Sequence, residues 1–174
     1  MRASAQEGRP MLTQPLRDEH AELLPHVEAL RVAADAIGES SATELAAKVR
    51  EAEEFLTGHL IPHAKAEDDA LYPIIDTLLG APGATRTMSL DHVEVGRQTR
   101  LLGEMKAKMA SGVLTRPQEN ELRMVLYGLY VLVELHFHKE EEAYLPLLDQ
   151  RLTQGDATRM FEAMEAAATK AKGV

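Results

Sequence analysis

Apolar residues recur along this chain every three or four positions, in four long runs and one shorter run. That period predicts helices, and no stretch alternates as a strand would. The first stripe is Leu16, Leu23, Leu24, Val27, Leu30, Ala34 and Ile37, a helix from about residue 13 to a stop near Gly38. Pro25 lies inside it and predicts a kink, because proline removes a backbone donor. Ser41-Ala-Thr-Glu44 reads as a capping box that opens a second helix to about residue 79. Its stripe is Val49, Ala52, Leu56, His63, Ala70, Ile74 and Leu78, with Gly58 and Pro62 marking a bend and residues 80–83 a turn. A third helix covers about 85–110 with Met88, His92, Val95, Thr99, Leu102 and Met109 on one face, and Gly112 ends it. Thr115-Arg-Pro-Gln118 resembles another capping box, and the helix behind it runs to about 152 with Leu122, Val125, Leu129, Leu132, Val133, His136, Ala143 and Leu147 inward. A short fifth helix follows from Gly155 to about 170, with Met160, Phe161 and Met164 together. Residues 1–11 read as a flexible lead-in, 12–152 as an all-α, up-down-up-down four-helix bundle, and 153–174 as a C-terminal helix packed on it.

Each long stripe carries a polar intruder: His20, His63, His92 and His136. Two of these histidines open similar segments, HAKAEDDALYP at 63–73 and HFHKEEEAYLP at 136–146. In each, a glutamate follows four residues later, so His63/Glu67 and His136/Glu140 share a helix face. The halves repeat: 72 residues separate His20 from His92, and 73 separate His63 from His136. At about 1.5 Å rise per residue, His20 and His63 lie roughly 27–33 Å from the first turn, and His92 and His136 about 30 Å from theirs. The middle turn fits less well, because His63 stands 17 residues before Gly80 and His92 only 9 after Gly83. A bend at Pro73 or a climbing loop would absorb the difference. Burying four imidazoles and two carboxylates without partners costs several kcal/mol per charged group. Two divalent cations held by His20, His63, Glu67, His92, His136 and Glu140 would compensate. Imidazole suits iron, copper, zinc and nickel, and the two glutamates can bridge ions about 3.5–4 Å apart.

Composition narrows the chemistry. With 174 residues, a single domain with a real core is expected. A net charge of −9 argues against nucleic acid, which needs clustered Lys and Arg. The absence of cysteine excludes disulfides, thiolate zinc sites, iron–sulfur clusters and cysteine nucleophiles. No apolar signal core opens the chain and no long apolar run follows, so a soluble, cytoplasmic protein without a membrane partner is expected.

Other residues read more blandly. His59 lies one turn before His63, but His59, His63 and Glu67 together span about 12 Å of helix, too far to share one pair of ions. It reads as packing, with a lining role or an extra ligand as the alternative. His26 falls six after His20, off the stripe unless the Pro25 kink turns it inward; with His59 it would form a separate weak site. His138 reads as surface, although His138/Glu142 offers a second His-x-x-x-Glu register. Tyr72 and Tyr144 read as core packing rather than redox groups.

The pattern H…HxxxE…H…HxxxE, met by His20, His63/Glu67, His92 and His136/Glu140, resembles the hemerythrin-like (HHE cation-binding) domains over about residues 12–152. The resemblance implies a four-helix bundle around two iron ions, a non-heme di-iron centre with an oxo or hydroxo bridge that meets O2, peroxide or nitric oxide. Other divalent metals, zinc among them, suit the same donors. Two positions depart from the oxygen-carrying members. Gly96 stands where they have a second third-helix histidine, and the last carboxylate is Glu140, four after His136, with Glu141 as competitor. The smaller set implies an open coordination position, favouring redox chemistry or sensing over reversible oxygen carriage. Two alternatives are an iron sequestration or sensing module and a peroxidase- or catalase-like enzyme. A small diatomic or peroxide ligand is the expected partner, and a homodimer stays open.

Overall fold

The computed structural model describes residues 11–173, and no strand occurs among them. Of the expected lead-in, only Met11 lies within the described residues, and it is exposed. Helix α1, Gln14–Asp35, buries Leu16, His20, Leu23, Val27, Leu30, Ala33 and Ala34. It continues through Pro25 without interruption. Pro25 and Ala21, whose carbonyl loses its helical partner, are both on the exposed side, where water can serve that carbonyl.

The second rod is helical from Ala42 to Leu79 but not uniformly. It comprises α2 (Ala42–Phe55), a π-turn (Leu56–Leu60), α3 (Ile61–Ala66), a second π-turn (Glu67–Leu71) and α4 (Tyr72–Leu79). The fourth rod repeats the device: α6 (Arg116–Lys139), a π-turn (Glu140–Tyr144) and α7 (Leu145–Arg151). Each π-turn ends two residues before a proline, Pro62, Pro73 or Pro146. Proline has no N–H for the carbonyl four back, and its ring crowds that carbonyl. The chain widens instead. Ile61, Tyr72 and Leu145, each just before the proline, donate their N–H five residues back to Leu56, Glu67 and Glu140. At Gly58/Pro62 and at Pro73, where the sequence marks bends, the helix takes in an extra residue.

The third rod is α5, Arg86–Ser111, and α8, Gln154–Ala171, follows the bundle. Capping boxes form at Ser41/Glu44 and Thr115/Gln118 as the sequence predicts, and a third forms at Thr153/Asp156. α1 packs on α2 and α6, and α5 packs on the same two, so the four rods close into a ring. α8 lies across α3 and the Glu67–Leu71 π-turn. There the small Ala66, Ala70 and Ala157 let Met160 and Met164 close in.

The middle connection climbs. The Asp76 carboxylate accepts from the N–H groups of Gly83 and Thr85 and from the Thr85 hydroxyl, while Ser89 donates to Asp68 at 2.6 Å. α5 therefore begins beside the body of α4 rather than at its end, which takes up much of the predicted mismatch between His63 and His92.

The core is in two parts. One holds Leu23, Val27, Leu60, Val95, Val133 and Phe137; the other holds Leu16, Ala66, Met88 and Leu145. On every rod the core-facing histidine falls in sequence between a residue of one part and a residue of the other. A polar layer thus divides the apolar interior.

Candidate metal centre

The layer is made by His20 on α1, His63 on α3, His92 on α5, His136 on α6, and Glu67 and Glu140 at the starts of two π-turns. Glu67 and Glu140 have no exposed surface, and His20, His63 and His136 are 2–4% exposed. Glu67 lies between two histidine pairs. Its Oε1 is 3.7 Å from His20 Nε2 and 3.1 Å from His63 Nε2. Its Oε2 is 3.3 Å from His92 Nε2 and 3.9 Å from His136 Nε2. Glu140 spans the same gap, with Oε2 3.4 Å from His20 Nε2 and Oε1 3.5 Å from His136 Nε2. The Nε2 atoms of His92 and His136 are 3.0 Å apart. Two groups therefore have the spacing to hold a cation, His20–His63–Glu67 and Glu67–His92–His136, joined by Glu67.

The outward nitrogens are also met by acids. His20 Nδ1 is hydrogen-bonded to Glu141 at 2.9 Å and His136 Nδ1 to Asp91 at 3.0 Å. His63 Nδ1 is 3.1 Å from Glu19 and His92 Nδ1 3.1 Å from Asp68, ion-pair distances at angles off the hydrogen-bond direction. These contacts form a closed cycle: Glu19 of the first rod faces the histidine of the second, Asp68 of the second faces the third, Asp91 of the third the fourth, and Glu141 of the fourth the first. A proton held on Nδ1 by a carboxylate leaves the Nε2 lone pair pointing inward, the tautomer a metal ligand needs. Arg17 pairs with Glu141 and Lys139 with Asp91, anchoring two of these acids.

The acids that sequence reasoning missed are Glu19, Asp68 and Asp91; Glu141 was expected only as a competing ligand. Each sits immediately beside a core position in the chain, next to His20, Glu67, His92 and Glu140 respectively. An acidic neighbour at all four places was the available signal. Tyr72 is the other omission. It is buried, but its hydroxyl donates to Glu140 at 2.7 Å and lies 3.1 Å from His136 Nε2 and 3.4 Å from His92 Nε2. Tyr144 is only half-buried. His26, His59 and His138 are exposed, as is Glu142; His26 stacks on Phe55 with ring centroids 5.0 Å apart. None of them joins the layer.

The electrostatics of the layer follow from its burial and its acids. Burial opposes charge on His63, but Glu67 and Glu19 outweigh it and hold that imidazole well above its ordinary value. For His136, burial is likewise overcome, by Glu140 and Glu67, raising it to about 10. His92 is raised despite burial by Asp68 and Glu67. Burial pushes Glu67 up, yet His63, His136 and His20 together hold it well below the carboxylate range. Burial, then Glu67 and Glu140, keep the Tyr72 phenol protonated. Without cations, protons supply the positive charge. Even so, His20 Nε2, His63 Nε2, both Glu67 oxygens and Glu140 Oε2 are buried with no hydrogen-bond partner. Five inward-facing donor atoms of imidazole and carboxylate, unsatisfied in one layer, fit divalent cations.

Two spaces adjoin the layer. A cavity of about 10 Å³, walled by Leu60, Val95, Val133 and Phe137, touches His63, Glu67, His92 and His136. It has room for one very small molecule. An open groove of about 680 Å³ between α1 and α6 reaches His20 and the other side of Phe137. Phe137 is the shared wall, stacked on His20 at 4.3 Å.

No helix among the described residues is long and apolar enough to cross a membrane. Among known proteins, the family described as hemerythrin HHE cation binding domain matches residues 11–148. No curated protein and no solved structure matches the chain.

Proposed function

The chain belongs to the hemerythrin HHE cation-binding domain family, and from that premise we propose that it is a two-iron protein that binds, senses or reduces O2, peroxide or nitric oxide. The observation that carries the reading is the set of buried, partnerless donor atoms facing one another across Glu67. His20 and His63 hold one ion and His92 and His136 the other, with Glu67 and Glu140 shared between them. The four rods run up-down-up-down over residues 12–152, with α8 as an accessory. Bound iron supplies the redox change and the open coordination position. The chain's residues do the rest. The acids on Nδ1 fix ring direction and basicity. Leu60, Val95, Val133 and Phe137 line the inner cavity and keep bulk water from it.

Anaerobic loading with ferrous iron, elemental analysis, and visible spectra before and after O2, peroxide or nitric oxide test this. Two irons per chain and a bridged-iron absorption that responds to one of these ligands are expected. Full iron occupancy with a spectrum indifferent to all of them would leave an iron-holding role. Failure to bind iron would remove the reading.

A further inference from the structure

The two half-repeats differ where it matters most. Aligned on their histidines, they end Leu71-Tyr72-Pro73 and Tyr144-Leu145-Pro146: leucine and tyrosine have changed places. In each half the residue before proline closes the π-turn on the inward glutamate, Tyr72 on Glu67 and Leu145 on Glu140. In an α-helix a residue five places on stands about 140° round from its start. A π-turn takes one more residue per turn and brings that residue back toward the glutamate's face. One half therefore presents a phenol to the layer and the other an aliphatic side chain.

Tyr72 Oη lies 2.7 Å from Glu140 Oε1, 3.1 Å from His136 Nε2 and 3.4 Å from His92 Nε2. Donors at adjacent corners of a coordination shell, each about 2.1 Å from the ion, stand roughly 3.0–3.4 Å apart. The phenol oxygen thus sits at a corner of the shell already framed by His92, His136 and the two glutamates. Among the described residues no tyrosine hydroxyl is hydrogen-bonded to His20 or His63, and the counterpart of Tyr72 in the other half, Leu145, is fully buried and apolar.

We propose that Tyr72 is a protein ligand to the cation held by His92 and His136, so that the centre is asymmetric and the open position belongs to the cation held by His20 and His63. This rests on the two-cation reading above. On loading, the phenol O–H bond breaks, a metal–oxygen bond forms, and one proton per chain passes to solvent. In the metal-free chain that proton is the one donated to Glu140.

The test compares the wild type, Tyr72→Phe and Tyr144→Phe, loaded with ferric iron, by iron content, visible absorption and resonance Raman. A phenolate-to-iron charge-transfer band with enhanced tyrosine ring modes is expected in the wild type and in Tyr144→Phe, and its complete loss in Tyr72→Phe. Zinc supplies an arm free of redox chemistry: loading should ionise one tyrosine per chain in the ultraviolet difference spectrum, and none in Tyr72→Phe. Two irons or two zincs per chain without these signals, or signals that survive Tyr72→Phe, overturn the ligand role alone. A chain that takes up neither metal overturns it together with the reading on which it rests.

Discussion

Glu67→Gln removes the one carboxylate that faces all four imidazoles. The side chain has no exposed surface, and its oxygens lie 3.1–3.9 Å from the four Nε2 atoms. Glutamine keeps the volume but replaces one oxygen with an NH2 that cannot ligate, and it removes the negative charge. In the wild type, free metal at 100–1,000 times the dissociation constant stabilises the folded chain by about 2.7–4.1 kcal/mol. At roughly 2–4 °C per kcal/mol for a domain of this size, the melting temperature should rise by about 5–16 °C on loading. Loss of an outer partner alone weakens a metal site by about 10–100-fold, so loss of a shared ligand should cost at least a hundredfold. At the same free metal the gain then falls to about 0.4–1.4 kcal/mol, or about 1–6 °C.

Differential scanning calorimetry with and without zinc, at fixed free zinc, reads this directly. Comparing loaded with metal-free protein within each variant cancels the change that the amide makes to the metal-free state. Glu142→Gln is the control, since Glu142 and His138 are both exposed, and it should behave as wild type. A Glu67→Gln chain that still binds two zincs with the wild-type gain would refute the argument that Glu67 joins two sites.

Three further outcomes are expected. Asp91→Asn weakens the acceptor on His136 Nδ1 and loosens Lys139; metal affinity should fall about 10–100-fold in a buffered zinc titration while circular dichroism is unchanged. In chelator, stability should decline as pH rises. His136 is raised to about 10, and His63 and His92 are raised as well; a raised folded value means that the contribution is complete below the unfolded value near 6.5 and is lost as pH climbs through the folded one. Melts that stay flat or improve between about pH 6.5 and 10 would contradict this assignment of charge. Finally, Pro73→Ala restores a backbone donor opposite the Asp69 carbonyl. The turn can then relax to an ordinary α-helix, so zinc affinity should drop at least about tenfold with helix content unchanged; wild-type affinity in this variant would show that proline does not set the turn.

The stripes and two of the capping boxes were legible because they depend on local period and short-range hydrogen bonds. So were the six residues of the layer, since polar groups on an apolar stripe stand out against it. Two misreadings, of His59 and of Tyr72, share one cause, the assumption of a uniform 3.6-residue period. His59 is four before His63, and a uniform helix stacks the two on one face. The Leu56–Leu60 π-turn contains His59, and the extra residue turns it out to solvent. Tyr72 is five after Glu67, and the same arithmetic places it well round the helix, whereas the Glu67–Leu71 π-turn returns it to the layer. The prolines were visible, but a missing N–H is compatible with either a kink or a widened turn. At Pro25 no π-turn forms: α1 stays α-helical, and the carbonyl orphaned by the proline, that of Ala21, is on the exposed side. The outer acids were hidden for another reason: each meets a histidine on a different rod, so its partner is a fact of assembly, not of spacing.

That assembly explains how a four-helix interior can tolerate such a layer. A lone buried carboxylate or imidazolium strongly destabilises a core. Here every imidazole joins an inner glutamate to an outer acid from the preceding rod, and the cycle closes only when all four rods are present. Apolar clusters above and below hold the rods independently of the layer's state of charge. Leu30, Leu102 and Leu129 on one side, and Leu71, Ile75 and Leu148 on the other, have almost no exposed surface. Protons can therefore balance the carboxylates when metal is absent, and cations can replace those protons without unpacking either cluster. A site built in this way is preformed, and metal entry becomes an exchange of cations for protons rather than a folding event. Metal affinity should then rise with pH even where the stability of the metal-free chain falls.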